Sequence, residues 1–246
     1  MELRLRIYDD LETLTRAAAD DIAALLTDPA IAHRALYLAL SGGNTPQGLY
    51  ALLAQPPYAH SLPWSRMHLF WGDERCVSIE HPESNYGQAQ QALLRHVPVP
   101  AENIHRVRVE LPPAEAAADY ARQLAEHADP GLRWPRFDLV LLGLGEDGHT
   151  AALFPGPITQ HEQHSPVLHV QANYLGRPAE RITLTPLVFN DARHIFFLAA
   201  GEKKAKAVYA VLKSYADPEQ IPASRIRPTA GVVTWLLDRA AAKLLT

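Results

Sequence analysis

Residues 137–144, FDLVLLGL, form a near-continuous apolar run, and this stretch limits the possible folds more than any other. A strand with apolar side chains on both faces must be covered on both faces. That is the situation of a central strand in a parallel sheet, not of an alternating, half-solvated one. Gly143, Gly145 and Gly148 punctuate its end, interleaved with Glu146, Asp147 and His149 and followed by Leu153-Phe154-Pro155. The glycines free the backbone to turn tightly where the ionisable side chains emerge. In open α/β sheets ligands sit beyond the carboxyl ends of the strands, where the strand order reverses. Asp147 and His149 therefore occupy the expected place for a site. Taken alone, the stretch permits a second reading, in which Asp147 caps a helix starting near Thr150 and His149 packs in the turn.

Other segments repeat the theme of a strand running into a polar loop. Leu3, Leu5 and Ile7 alternate with polar residues as an opening strand does, and Leu11, Leu14, Ala18, Ile22 and Leu25 follow helical spacing up to Pro29. Residues 35–40, ALYLAL, form a second apolar run that passes directly into Ser41-Gly42-Gly43-Asn44-Thr45-Pro46, after which Leu49, Tyr50, Leu52 and Leu53 resume a helix. Two glycines let backbone N–H groups converge, Ser41 and Thr45 add hydroxyls, and Pro46 suits the first turn of a helix with a partly positive N-terminus. Those are the parts of a phosphate cradle. The pattern lacks the Gly-Lys-Ser/Thr ending of the Walker loop and the third glycine of the dinucleotide fingerprint. A plain strand-to-helix turn capped by Thr45 is the alternative.

Residues 67–71, MHLFW, make a third strand, which exits into Gly72-Asp73-Glu74-Arg75. The planar guanidinium fork of Arg75 suits a phosphate or carboxylate, unless it is spent on an internal salt bridge with Asp73 or Glu74. Ser84-Asn85-Tyr86 opens a helix through Leu94, residues 103–109 read as a fourth strand, and 113–128 as a helix with Ala117, Tyr120 and Leu124 on one face. Residues 156–165 read as a polar loop holding His161 and His164. Their three-residue spacing lacks the helical HExxH arrangement of zinc sites, so a surface loop is the better reading. Residues 167–170 and 181–185 are short strands around a turn at 176–178. Residues 194–200, HIFFLAA, are a strand ending at Gly201-Glu202-Lys203-Lys204, before a helix with Ala205, Val208, Tyr209 and Leu212 on its buried side. Lysines at the start of a helix oppose its dipole, a conflict that a bound anion resolves; for Lys203 and Lys206 a solvated basic face is the alternative. The chain closes with a strand over 232–237 and a short Ala-rich helix begun by Asp238.

Strands alternating with helices predict a three-layer, Rossmann-like α/β domain with a mainly parallel sheet flanked by helices, a single domain over residues 1–246. An apolar content of 48% in 246 residues is enough for a real core. The net charge of −4, with no basic block of five or more residues, argues against nucleic acid and anionic membranes as partners. No apolar run approaches eighteen residues and no leader pattern opens the chain, so neither a membrane span nor a signal peptide is expected and the cytoplasm is the expected compartment. A single cysteine, Cys76, rules out an internal disulfide and a multi-cysteine metal site. With no histidine adjoining it in sequence, it reads as a small, partly buried residue and not a nucleophile.

Four polar, Gly-containing loops, at 41–46, 72–75, 143–149 and 201–204, thus fall on the sheet edge where such folds bind ligands. One site for a small phosphorylated molecule, a sugar phosphate, accounts for all four. The segments SGGNTP at 41–46, GDERCV at 72–77, ESNYGQA at 83–89, LGLGEDGHTAALFPG at 142–156, RITLTP at 181–186 and GEKKA at 201–205 together resemble the 6-phosphogluconolactonase family. The likeness spans nearly the whole chain. SGGxTP and GxxKA are shared with the related glucosamine-6-phosphate deaminases. In those enzymes the central motif continues into a segment with Asn-Glu-Pro, whose glutamate serves ring opening, and an aromatic usually replaces Arg75. Here Leu153-Phe154-Pro155 offers no carboxylate. Ser78 and Ala152 are smaller departures from the lactonase pattern, which commonly has proline and serine there.

The resemblance implies hydrolysis of 6-phosphoglucono-1,5-lactone to 6-phosphogluconate, the second step of the oxidative pentose phosphate pathway, without metal or organic cofactor. A lactone is an activated ester, so the protein needs to hold it, deprotonate a water and stabilise an oxyanion; no covalent nucleophile is required. His149 is the expected general base, oriented by Asp147 or another carboxylate. Ser41, Gly42, Gly43, Thr45, Arg75 and Lys204 are expected to hold the phosphate, Lys204 being preferred to Lys203 because it matches the family's GxxK spacing, with Arg181 as an addition. Asp73 is a further substrate-binding candidate, and backbone N–H groups at 143–148, with Asn85, are candidates for the oxyanion. A monomer or weak homodimer acting on a small phosphorylated sugar lactone is the expected assembly. Two readings compete: a deaminase or aldose-ketose isomerase with Asp73 as the base, and a non-catalytic sugar-phosphate sensor. Binding phosphate alone needs neither Asp147 nor His149.

Overall fold

Alternate residues of the 139–142 run face opposite ways: Leu139 and Leu141 lie in one core, Val140 and Leu142 in another. The run is apolar throughout because both faces are covered. In the computed structural model, which describes residues 2–213 and 216–245, the first half of the chain holds β1 (Glu2–Tyr8), α1 (Leu11–Leu26), β2 (Leu36–Leu40), α2 (Asn44–Leu53), α3 (Tyr58–Ser61), β3 (Met67–Trp71), β4 (Asp73–Arg75), α4 (Asn85–Ala89) and α5 (Pro113–Glu126). The second half holds β5 (Leu139–Gly143), α6 (Gln160–His164), β6 (Val167–Gln171), β7 (Glu180–Leu184), α7 (Pro186–Phe189), β8 (His194–Ala199), α8 (Ala205–Lys213), β9 (Val232–Asp238) and α9 (Arg239–Ala242).

Six strands form one parallel sheet in the order β1-β9-β8-β5-β2-β3. The chain steps from β2 outward to β3 on one side and from β5 outward to β8 and β9 on the other, so the order reverses between β2 and β5. This is the switch point at which the loops after neighbouring strands diverge and leave a crevice. On one face the sheet is covered by α1, α2 and α3, through Leu14, Ala18, Ile22, Leu49, Tyr50 and Tyr58. The opposite face meets α5, α8 and α9 through Tyr120, Leu124, Val208 and Ala241. At α1 the sequence signals are plain: Asp10 and Thr13 make a reciprocal capping box, and the apolar positions recur every three to four residues. Among the described residues no helix is long and apolar enough to cross a membrane.

At Gly72 the chain leaves the main sheet and continues as β4 in a small antiparallel sheet, ordered β4-β7-β6. This places Asp73 and Arg75 beyond the carboxyl end of β3, with β7 alongside them.

Several expectations need correction. Residues 103–109 are not a strand: only Ile104 bridges to Leu69, and the His105 N–H donates to the Leu69 carbonyl at 2.8 Å. Prolines at 98, 100, 112 and 113 bracket the segment, and it covers the outer edge of β3 without extending the ladder. No helix starts near Thr150; residues 150–153 make a turn closed by the Thr150–Leu153 bridge. The loop at 156–165 contains the single helical turn α6, where buried Glu162 pairs with Arg225 at 2.9 Å, while His161 and His164 are exposed. At the edge strand β1, Leu3, Leu5 and Ile7 are 51, 42 and 41% exposed, so the alternation marks a strand but not a buried face. Tyr209 is exposed too, not on the buried side of its helix.

Candidate active site

The loops after β2, β5 and β8 and the β3–β4 junction enclose one cavity of about 290 Å³. From the first loop Ser41, Gly42, Gly43 and Thr45 reach it, from β4 Asp73 and Arg75, and from β7 Arg181. The central loop contributes His149 and the last loop Lys204. Asp147 and Asn85 do not line it; each touches a residue that does.

His149 is held from three sides. Its Nδ1 lies 2.6 Å from Asp147 Oδ1, and its backbone N–H donates to the same oxygen at 3.1 Å. Phe154 packs against the ring at a centroid separation of 4.6 Å, and Tyr174 meets it edge-on at 4.6 Å. With Nδ1–H donated to the carboxylate, the lone pair of the neutral ring sits on Nε2, the tautomer a general base requires. Burial alone would raise the Asp147 carboxyl, but the hydrogen bond and charge of His149 outweigh it and leave the group below the usual carboxylate range. The loop is tied back on itself: the Gly145 N–H donates to the His149 carbonyl at 2.7 Å, and the Thr150 hydroxyl donates to the Gly143 carbonyl at 2.8 Å.

The glycine at 145 is dictated by this packing. A Cβ there would sit 2.0 Å from His149 Nδ1 and 2.5 Å from Asp147 Oδ1, so any side chain pushes the base off its partner. Gly145→Ala is expected to lower kcat at least about 100-fold, the cost of misplacing a reacting group by an ångström, with far-ultraviolet circular dichroism unchanged. Wild-type activity in a folded Gly145→Ala protein would contradict this placement of His149.

The same cavity is lined by cations, one of which, Arg181, stands over the Phe154 ring that also packs on His149. Arg75 and Arg181 are direct cross-strand partners in β4 and β7, both are buried, at 6% and 2% exposure, and like charges so placed repel. Arg75 donates to the Glu83 carbonyl at 2.7 Å and lies 3.3 Å from its carboxylate and 3.8 Å from that of Asp73. The internal pairing foreseen for Arg75 is therefore real in part, through Asp73 and Glu83 and not Glu74. Arg75 Nε and Arg181 Nη2 remain buried without a hydrogen-bond acceptor, donors suited to an anion in the cavity. Burial holds the Arg181 guanidinium below its ordinary value and does the same for Lys204, against the opposing pull of Glu146 and Asp147. Lys204 is half-buried in the wall, whereas Lys203 and Lys206 are exposed.

The first loop differs in detail from a bare cradle of N–H groups. The Ser41 N–H donates to the Tyr50 hydroxyl at 2.9 Å, that hydroxyl donates to the Ser41 carbonyl at 2.7 Å, and the Gly43 N–H is 3.3 Å from Gln88 Oε1. Helix α2 starts at Asn44 with no side-chain cap, so Thr45 is not a capping residue. Gly42 is required by close approach: a Cβ would fall 1.7 Å from Asn85 Oδ1. Asn85 is fully buried behind it and donates to the Asp73 carbonyl at 2.8 Å and the Asp73 carboxylate at 3.2 Å. It therefore orients Asp73 and lies away from the cavity. Glu74 also faces inward, accepting N–H donors from Arg75, Asn85 and Tyr86, and burial pushes its carboxyl up to about 7. Burial likewise pushes the Cys76 thiol up to about 11, the opposite of an activated nucleophile.

Tyr174 and Arg177, in the β6–β7 connection, line the cavity as well. Sequence reasoning places only a turn at 176–178 there; no strand end or motif marks these residues, and they reach the site because the small antiparallel sheet folds their hairpin over it.

A family model described as glucosamine-6-phosphate isomerases/6-phosphogluconolactonase matches residues 9–235. Among curated proteins, the 6-phosphogluconolactonase of a Synechocystis species is 43% identical over 217 residues, covering 85% of this chain and 84% of the relative. That of a Nostoc species is 40% identical over 245 residues, covering 98% of each. Among solved structures, 6-phosphogluconolactonase from Trypanosoma cruzi superposes with a TM-score of 0.86 at 31% identity, covering 100% of this chain and 98% of that one. By its sequence over most of its length and by its fold, the chain belongs to the glucosamine-6-phosphate isomerase/6-phosphogluconolactonase family.

Proposed function

We infer that this chain hydrolyses 6-phospho-D-glucono-1,5-lactone to 6-phospho-D-gluconate, the second step of the oxidative pentose phosphate pathway. The observation that carries the reading is one cavity lined both by the Asp147-oriented His149 and by three cations, the buried Arg75 and Arg181 and the half-buried Lys204. Phe154 supports the choice within the family. Where the related deaminases carry a carboxylate for ring opening, this chain places an aromatic ring against His149.

The reaction follows from the groups present. His149 Nε2 accepts a proton from water, and the resulting hydroxide adds to the lactone C1 carbonyl. The tetrahedral oxyanion is stabilised by N–H groups of the 143–148 loop. Collapse breaks the bond from C1 to the ring oxygen, the protonated imidazole returns its proton to that oxygen, and the carboxylic acid left at C1 loses its proton to solvent to give the carboxylate product. Arg75, Arg181 and Lys204, with the Ser41 and Thr45 hydroxyls, hold the phosphate; Asp147 orients His149, and Asn85 orients Asp73. The whole chain acts as one sugar-phosphate-binding unit, in the cytoplasm, as a monomer or weak homodimer.

Stopped-flow or NMR observation of freshly generated 6-phosphogluconolactone, in EDTA and with the spontaneous rate subtracted, tests this, with glucosamine 6-phosphate as a parallel substrate. Fast loss of the lactone is expected. Ammonia released from the amino sugar would replace the reading with a deaminase, and tight 6-phosphogluconate binding without acceleration would replace it with a sensor.

A further inference from the structure

Far from the cavity, three histidines that are remote in sequence converge. His68 lies near the start of β3, His105 on the segment covering that strand's outer edge, and His127 at the C-terminal cap of α5. One ring nitrogen from each lies within 4.8 Å of the other two. The His68 and His105 rings are inclined by only 4° with centroids 5.2 Å apart, and His68 Nδ1 is 3.0 Å from His105 Nε2. They therefore meet nearly in one plane, nitrogen to nitrogen. The His127 ring crosses His105 at 60° with centroids 4.3 Å apart. Its Nδ1 lies 2.9 Å from the Gln123 carbonyl, so Nδ1–H is donated there and the lone pair is left on Nε2. A backbone carbonyl that fixes the tautomer and orientation of an imidazole is the usual support for a metal-ligating histidine.

We propose that His68, His105 and His127 bind a divalent transition metal of the zinc type, at a structural site separate from the lactone cavity. Three neutral imidazoles with no thiolate suit zinc, nickel or copper and not the oxygen-seeking calcium or magnesium. Nitrogen ligands of a tetrahedral zinc stand about 3.3 Å apart, so the 3.0 Å pair needs a small opening. In the metal-free protein one nitrogen of this pair donates its hydrogen to the other, so binding moves that hydrogen to the other nitrogen of its ring and leaves both facing nitrogens free for the ion. His68 and His127 are half-exposed, which gives the ion an entry path and a water for its fourth position. The metal would tie β3, its edge segment and the end of α5 together. The backbone joins β3 to its edge segment by the Ile104 bridge and the His105 N–H bond, and α5 is tied to β3 through the Tyr120 hydroxyl on Trp71; the metal would add a direct link among all three.

The test is titration of the EDTA-stripped, dialysed full-length protein with Zn²⁺ by isothermal calorimetry and thermal melting, with Co²⁺ as a spectroscopic probe. One equivalent is expected to bind, to give Co²⁺ a tetrahedral visible spectrum, and at 100-fold excess over Kd to raise Tm by roughly 5 °C or more. His127→Gln, at the half-exposed position, is expected to weaken binding at least about 100-fold without disturbing the fold, and His68→Gln to do the same. Lactone hydrolysis by the metal-free protein should be unchanged, which separates failure of this proposal from failure of the lactonase reading. Equal zinc uptake by wild type and by the His68→Gln/His127→Gln double variant would overturn the proposal. So would binding lost instead in His161→Gln/His164→Gln, or no uptake at all; the trio would then be a hydrogen-bonded packing cluster.

Discussion

Replacing His149 with alanine is expected to lower kcat for the phosphorylated lactone by roughly 10²–10⁴-fold, the contribution of a positioned general base, with little loss of affinity for 6-phosphogluconate. The two effects are expected to separate because the groups proposed to hold the phosphate, Arg75, Arg181 and Lys204, are side chains of the lining other than His149. Removing the ring takes away the proton acceptor and leaves Arg75, Arg181 and Lys204 in place. The pH profile supplies a second readout. A protonated imidazole cannot accept a proton from water, so whatever acid-side loss of rate the wild type shows through its general base should vanish in His149→Ala. Asp147→Asn should lower kcat on a comparable scale, because an amide NH₂ turned toward Nδ1 holds the ring in the wrong tautomer and the charge that stabilises the imidazolium is lost. A His149→Ala enzyme within tenfold of wild type would remove this residue from the mechanism and leave the 2.6 Å contact with Asp147 as loop packing.

The central strand and its loop were legible because two constraints coincide there. Only a strand buried on both faces needs an unbroken apolar run such as 139–142, and only a loop at a strand's carboxyl end gains from glycines between ionisable residues. The same logic located Ser41, Arg75 and Lys204 at three other strand ends. It failed where placement depends on tertiary path. The run Ile104 to Val109 has strand composition, yet prolines on both sides restrict it to one bridge. Asn85 looked like a loop polar group facing substrate, but the close approach of Gly42 holds it behind the wall. Tyr174 and Arg177 belong to a hairpin whose position over the site is set by β4–β7 pairing, between residues more than a hundred positions apart. The three convergent histidines escaped for the same reason: 37 residues separate His68 from His105, and no local pattern announces that a strand, its edge segment and a helix end will meet.

The phosphate wall yields the other large effect. Lys204→Ala is expected to lower kcat/KM for 6-phosphogluconolactone about 10- to 100-fold, the equivalent of one charge-assisted hydrogen bond of about 1.5–3 kcal/mol, and to leave kcat/KM for unphosphorylated gluconolactone unchanged. Arg75→Ala should lower it at least as far, because a guanidinium presents several donors to one phosphate. This variant carries a second cost. Arg75 neutralises Asp73, which is only 5% exposed, and anchors the Glu83 carbonyl, so its removal leaves a buried carboxylate without its counter-charge and should lower Tm as well. Lys204, half-buried at the cavity edge, is the cleaner probe, and comparing the two variants separates recognition from stability. The decisive quantity is the ratio of kcat/KM for the phosphorylated lactone to that for gluconolactone, measured in both variants at fixed ionic strength. A ratio that collapses in each places the phosphate between Arg75 and Lys204. A ratio that survives in Lys204→Ala would move the phosphate toward Arg181 and Arg177, on the β6–β7 side of the cavity.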